Sequence, residues 1–157
     1  MRRISEETGV ALGTLYSWFE SKDLLLLEVM ASWMTDVCSE LRLRPVTGTT
    51  AAERVNVRLE QALDLSMAEP VRFRACVRAF TVPETGGSDA VGRMEMDFGL
   101  LLYEAMADEV ASFDAPSVLR AIGGVWFAAL IAWAADRRDV GYVRDELRSV
   151  VRLTLID

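Results

Sequence analysis

Apolar residues recur at three- and four-residue intervals along almost the whole chain. The two-residue alternation of half-buried strands bounded by turn signals is missing. The pattern predicts an all-α protein of seven or eight helices. A short helix over Arg2 to Thr8 is stopped by Gly9, and a second runs from about Leu12 to Glu20. Ser21 can cap a third that carries Leu26, Met30, Trp33, Met34, Val37 and Leu41 on one side and ends near Leu43, before Pro45. Residues 45–49 read as a turn, and Thr50-Ala-Ala-Glu53 matches a capping box for a helix with Val55, Leu59, Leu63 and Met67 on one face. Pro70 suits the first turn of a helix with Phe73, Val77 and Phe80. Residues 81–87 read as a loop and the most flexible point. Ser88 then caps a helix burying Val91, Met94, Phe98, Leu101, Leu102, Ala105 and Met106. Asp114-Ala-Pro116 opens a helix to about Arg138, and Asp139 opens the last, with Val143, Leu147, Val150 and Val151 at helical spacing. One boundary falls near residue 44, although the long helix from Ser21 belongs to both sides.

Composition narrows the picture by exclusion. The 157 residues are 52% hydrophobic and 26% charged, which suits one globular domain, or one with a small appendage. The N-terminus lacks a signal-peptide pattern. The longest uncharged run, Ala121 to Ala135, is 15 residues, short of the roughly 18–20 that span a bilayer. A cytoplasmic protein with no membrane partner is the default. There is no histidine, and the two cysteines, Cys38 and Cys76, lack metal-ligand spacing and read as buried free thiols. No nucleophile-elbow, zinc-protease or phosphate-loop motif occurs, so nothing asks for an enzyme, and no catalytic residue, cofactor or metal site is expected.

The net charge is −7, but residues 1–22 balance Arg2, Arg3 and Lys22 against Glu6, Glu7 and Glu20. Any nucleic-acid contact is therefore local to that end. Helix, glycine turn, helix is the helix-turn-helix arrangement. Ile4, Val10, Leu15 and Phe19 can pack the two helices together, which turns Leu12, Thr14, Tyr16, Ser17 and Trp18 outward. The hydroxyls of Thr14 and Tyr16 suit phosphate oxygens. Lys22, the sole lysine beside sixteen arginines, stands at a helix start that already attracts anions. An amphipathic helical hairpin with exposed aromatics fits the same residues.

The stretch TGVALGTLYSWFESKDLLL resembles the helix-turn-helix of the tetracycline-repressor (TetR) family of transcription regulators, through Gly9, Val10, Gly13, Thr14, Leu15, Tyr16, Phe19, Ser21, Lys22 and Leu25. The resemblance implies phosphate clamps at Thr14, Tyr16 and Lys22. It implies groove-facing residues at Leu12, Gly13, Ser17 and Trp18, and an edge contact from Arg2. Ala11 stands where the family often has a serine cap, which weakens the recognition helix by ~1 kcal/mol. Leu12 replaces a polar reader, so contact there is apolar, for instance with a thymine methyl. The family also places a full helix ahead of the one beginning at Arg2. On the resemblance, residues 1–22 are a partial head lacking that first helix, Ile4, Val10 and Phe19 lack a cover, and this form binds DNA weakly.

Residues 23–157 are expected to form a helical effector-binding and dimerisation domain. The segments AAERVNVRLEQALDL, VRFRACVRAF and VWFAALIAWAADRR are similar to the C-terminal domain of repressors of steroid catabolism. That similarity implies a pocket for a large apolar effector of steroid or acyl-coenzyme A type. Candidate lining residues are Met30, Trp33, Met34, Phe73, Val77, Phe80, Met94, Phe98, Leu102, Trp126 and Leu130, although methionines and aromatics at helical spacing serve equally as plain core. Arg72, Arg74, Arg78 or Arg93 could meet an anionic head group. In the helix from Ser117 to Ala135, Ile122, Trp126, Ala129 and Trp133 form one face and Gly124, Ala128, Ile131 and Ala135 the other, so both must be covered. A homodimer using Gly124, Ala128, Ile131 and Ala135 with Val143, Leu147, Val150 and Val151 satisfies this. The resulting expectation is a ligand-responsive dimeric repressor, its two recognition helices in major grooves ~34 Å apart. A hydrophobic small-molecule sensor or carrier without competent DNA binding is the alternative.

Overall fold

The computed structural model describes residues 1–82, 89–107, 109 and 114–155. These residues form eight α-helices and no strand: α1 (Arg2–Thr8), α2 (Leu12–Trp18), α3 (Lys22–Leu43), α4 (Ala51–Met67), α5 (Pro70–Ala79), α6 (Asp89–Met106), α7 (Ala115–Ala134) and α8 (Val140–Thr154). The starts follow the caps read from the sequence. Ser21 accepts from the Leu24 amide at 3.1 Å, Asp114 from Ser117 at 3.4 Å and Asp139 from Tyr142 at 2.9 Å. Thr50 accepts from Glu53 as the capping box requires, but the Glu53 carboxylate reaches back to the amide and hydroxyl of Thr49 rather than to Thr50. Those bonds hold the Glu53 carboxyl below its ordinary pKa. Of the expected loop at 81–87 only Thr81 and Val82 are described, and Ser88 lies outside the described residues.

The ends depart further from expectation. Helix α2 stops at Trp18, because Phe19 is extended (φ −134°). Helix α7 stops at Ala134, four residues before Arg138, because Asp136 takes a left-handed conformation (φ 57°) that breaks the helix without a glycine. Glycine is needed at Gly48, with φ 140°, where a Cβ would sit 2.8 Å from the Cβ of Glu53.

Packing divides the helices unequally. Among the described residues α1 and α2 find their main neighbour in each other, while α3 packs on α5, α6 and α4. Helix α4 also packs on α6 and α8, α5 on α7, and α7 with α8 forms a hairpin closing the far side. Thirty-six of the buried apolar side chains form one core, with Phe73, Leu27, Leu41, Leu59, Leu63 and Leu102 among its most enclosed. Helix α7 as a whole, Arg120 included, is long and apolar enough by composition to cross a membrane, which the shorter uncharged run did not suggest. Here its Ile122, Trp126, Leu130 and Trp133 are buried within this core.

Three helix C-termini are closed by arginines from other helices. Arg58 of α4, only 7% exposed, donates to the carbonyls of Leu41 and Arg44 at the end of α3 and to Gln61. Arg54, one turn earlier, donates to Ala105 at 2.8 Å and Met106 at 3.0 Å at the end of α6, and pairs with Glu109. Arg78 of α5 places two donors, at 3.0 and 2.7 Å, on the carbonyl of Ala134 at the end of α7. Carbonyls at a helix C-terminus lack the full set of intrahelical partners; that of Leu41 also accepts from the Arg44 amide at 3.1 Å. Burial lowers the pKa of Arg58 from its ordinary value, opposed by the nearby Glu104 carboxylate. Arg58→Met is therefore expected to cost about 2–4 kcal/mol in urea denaturation, with Arg58→Lys recovering only part because a single nitrogen lacks the rigid fork that sets separate nitrogens on the two carbonyls. An unchanged midpoint for Arg58→Met would contradict the capping role.

Candidate functional site

The first site is the α1–α2 head. The Ser5 hydroxyl donates to the Val10 carbonyl at 2.6 Å and Thr8 to Ile4 at 2.7 Å, and Gly9 (φ 72°) closes the turn between the helices. Leu15 is the one buried side chain of the two helices, and Ile4, Val10 and Phe19 are half-buried. The outward residues are partly as expected. Tyr16 and Trp18 are 51% and 64% exposed, Gly13, Ser17, Arg2 and Lys22 are exposed, and Leu12 and Thr14 are half-buried. Ser17 donates to the Thr14 carbonyl at 2.8 Å within its own helix. Ala11 gives α2 no side-chain cap, in line with the weakened start read from the sequence. Lys22 is the first residue of α3, so the head's one lysine stands at the N-terminal, positive end of a 22-residue helix.

The second site is the apolar interior. Met30, Met34, Phe73, Val77, Met94, Phe98, Leu102, Trp126 and Leu130 all belong to the core, and Trp33 and Phe80 pack against it. The rings meet edge-on or tilted, Trp33 on Phe73 at 5.6 Å, Phe73 on Trp133 at 5.6 Å and Phe98 on Trp126 at 4.9 Å. The structure therefore brings the expected lining residues together, but as packed core. Two recesses on the surface of the described residues touch none of them. The larger recess, about 630 Å³ and open to solvent, lies at the corner of α4, α5, α7 and α8, between Met67, Pro70 and Trp133 and the side chains of Arg74, Arg137, Arg138 and Arg144.

The arginines considered for a head group are mostly committed elsewhere. Arg72 lies 5.1 Å over Trp33 and beside Glu69, Arg78 closes α7, and Arg93 pairs with Glu28. Only Arg74 lines the recess. It stacks 4.7 Å over Trp133 and pairs with Asp136, whose carboxyl this contact holds below its ordinary pKa. Sequence reasoning missed Arg137, Arg138 and Arg144, because the left-handed Asp136 turns the Arg-Arg pair out of a helix that the apolar pattern seemed to continue.

The expected dimer residues separate into two groups. Gly124, Ala128 and Ala135 are exposed and Ile131 half-buried, so α7 presents a small-residue face to solvent, with Phe127 beside it at 37% exposure. Val143, Leu147, Val150 and Val151, by contrast, are at most 8% exposed within a single chain, since α8 turns that face onto α7 and α4. This corrects the expectation for α8. Its apolar stripe is used inside the chain, and its outward side carries Gly141, Asp145, Arg148, Arg152 and Leu153.

The cysteines are free and buried, as read from the sequence. Burial pushes the Cys38 thiol up to about 11, with Asp97 and Glu104 adding to the effect, and burial likewise raises Cys76. No group of three or more potential metal ligands occurs among the described residues.

Residues 48–154 match the family described as "Tetracyclin repressor-like, C-terminal domain". The whole chain is 31% identical to the "HTH-type transcriptional repressor KstR" of Rhodococcus jostii (strain RHA1), covering 73% of that protein. It is 27% identical to the protein of the same description from Mycobacterium tuberculosis, covering 71%. A solved "TetR transcriptional regulator from Rhodococcus sp. RHA1" superposes with a TM-score of 0.80 over 99% of this chain and 84% of its own, at 19% identity, and so shares the fold. The matched C-terminal region and the relative aligned along the entire chain agree with the helix-turn-helix residues at its start: the chain belongs to the TetR family of transcriptional regulators.

Proposed function

We propose that the protein is a dimeric transcriptional repressor released from its operator by a hydrophobic effector. In this reading residues 1–22 are the DNA-reading head and residues 23–157 the effector-binding and dimerisation domain, acting in the cytoplasm without catalysis. The observation that carries it is the exposed head constellation of Tyr16, Trp18 and Lys22 at the positive end of α3, in a chain whose full-length relatives are described as repressors. Thr14, Tyr16 and Lys22 clamp phosphates, Leu12, Gly13, Ser17 and Trp18 face the groove, and Arg2 reaches its edge. Such phosphate contacts fix register and orientation, while base edges carry the sequence information.

An effector entering among Met30, Trp33, Met34, Phe73, Val77, Phe80, Met94, Phe98, Leu102, Trp126 and Leu130 must open a space that is packed in this conformation. It therefore favours a second arrangement of the helices around it, and that differential affinity is what displaces α3. The methionines on α3 and α6 suit such repacking, being unbranched and adaptable. A steroid-like or acyl-thioester effector matches the size and apolar character of that lining. The dimer forms through the small face of α7, at Gly124, Ala128, Ile131 and Ala135, where backbones can approach closely.

Lys22→Ala is expected to weaken binding to DNA flanking the gene about 5- to 30-fold at low ionic strength, as one charge-assisted contact per half-site is lost. It should also lower the slope of log affinity against log salt by roughly 2 per dimer. Fluorescence anisotropy across a salt series checks both, and an unchanged slope would remove Lys22 from the clamp. Ala128→Arg, which adds a charge to an already exposed position, should leave the helical circular-dichroism signal intact and convert the dimer to monomer in light scattering. A dimer persisting at micromolar concentration would place the interface elsewhere.

A further inference from the structure

Helices α3 and α6 run side by side and parallel, because residues rising along one meet residues rising along the other: Glu28 pairs with Arg93, Thr35 with Asp97, and Arg42 with Glu104. The buried positions of α3 include Leu27, Met30, Met34, Val37 and Leu41, at alternating intervals of three and four. Those of α6 include Met94, Phe98, Leu101 and Ala105 at four, three and four. This three-and-four spacing lies within a wider buried stripe that also takes in Ala31, Cys38, Leu102 and Met106. An all-apolar seam specifies register poorly, since displacement by a turn, ~5.4 Å, still sets apolar side chains against apolar side chains. Arg54 and Arg58 hold the two C-terminal ends together, and along the rest of the seam the flanking polar partners supply the register. On α3 they stand at 28, 35 and 42, one residue after the seam positions 27, 34 and 41.

The three rungs are unequal. All three are exposed, so reach rather than burial separates them: Glu28–Arg93 and Arg42–Glu104 join long side chains that can follow a shifted partner. Thr35 and Asp97 are both short, and the hydroxyl donates to the carboxylate across 2.7 Å, the closer of its two acceptors, with the Ala31 carbonyl of its own helix at 3.1 Å. A displacement of one turn breaks this bond with no means of reaching across. Thr35 is also a poor helix former in the middle of the longest helix, placed where its hydroxyl meets another helix.

We propose that Thr35 and Asp97 are the positioning pair that pins α3 in register against α6, and through α3 sets the placement of the head. Helix α6 holds Met94, Phe98 and Leu102 on its inner side and Asp97 on the flank facing α3. A change in the core that moves α6 therefore acts on the pin directly. Thr35 lies thirteen residues, roughly 20 Å, along α3 from Lys22, so a tilt of about 5° at the pin moves the head by roughly 2 Å. The effect on DNA rests on the reading of residues 1–22 as a DNA reader, whereas the register itself does not.

The test separates the two. Nitroxides on Asp23→Cys and Tyr103→Cys, roughly 27 Å apart along the helix axes, report the register in chains diluted with unlabelled protein. The buried native cysteines remain unlabelled. A single narrow distance is expected in the parent and in Asp97→Asn, whose side-chain carbonyl still accepts from Thr35. Asp97→Ala and Thr35→Val should broaden it or add a population displaced by about 5 Å, and should weaken DNA binding about 5- to 10-fold, with Asp97→Asn near parental. A narrow, unshifted distance in Asp97→Ala, or Asp97→Asn as perturbed as Asp97→Ala, overturns the pin. Altered distances with unchanged DNA affinity overturn its control of the head. Altered distances in a protein that binds no DNA in any form leave the pin standing and defeat the repressor reading instead.

Discussion

The carbonyls at the C-terminal ends of α3, α6 and α7 are the constraint around which this fold is arranged. Each helix ends with carbonyls short of intrahelical partners, and each is closed by an arginine from α4 or α5. Arg54 and Arg58 lie one turn apart on the same helix, so the ends of α3 and α6 must lie together beside the first half of α4. That requirement makes α3 and α6 parallel neighbours. It also accounts for the use of arginine, since a guanidinium can donate to two carbonyls at once and stays charged when partly buried, which an ammonium does less well. The acidic excess has structural work as well: Glu60 and Asp64 hold Arg144, and Glu60 holds Arg148, joining α4 to α8.

With its C-terminal end closed and its flank set by α6, α3 behaves as a beam fixed at one end. Its other end carries Lys22 and the α1–α2 pair, which has only Leu15 fully enclosed and little packing on the remaining helices among the described residues. The head is therefore positioned chiefly by the direction of α3. Small changes in how α3 lies on α5 and α6 are amplified by its length, and those are the helices that bear Phe73, Val77, Met94 and Phe98.

Helix starts were legible in the sequence because their signals are local. Ser21, Thr50, Asp114 and Asp139 each accept from an amide three residues on. Ends were less legible, since α7 is stopped by a left-handed aspartate held by arginines of α5, a long-range cause. The head's residues were readable from a short contiguous motif, and their exposure largely follows. The residues expected to line a pocket are readable only as inward-facing, because the same periodicity describes a packed core and the wall of a pocket. The stripe on α8 illustrates the limit. Val143, Leu147, Val150 and Val151 read as a dimer surface, but periodicity does not say whether the cover is the same chain or a second copy, and the fold assigns them to α7 and α4. The arginine closures join residues 14 to 56 positions apart and left no local trace.

The central claim is a mechanical division: an arginine-closed helical unit that includes most of α3, and a head attached to it chiefly through that helix. Amide hydrogen exchange, followed residue by residue on the protein without DNA or effector, tests it most directly. The account predicts that amides from Met34 to Leu41 exchange with those of α4 and α6 only through global unfolding, while those of α1 and α2 exchange through local openings several-fold to many-fold more frequent. Protection in α1 and α2 equal to that of α3's second half would contradict it, because the head would then be an integral part of the same cooperative unit.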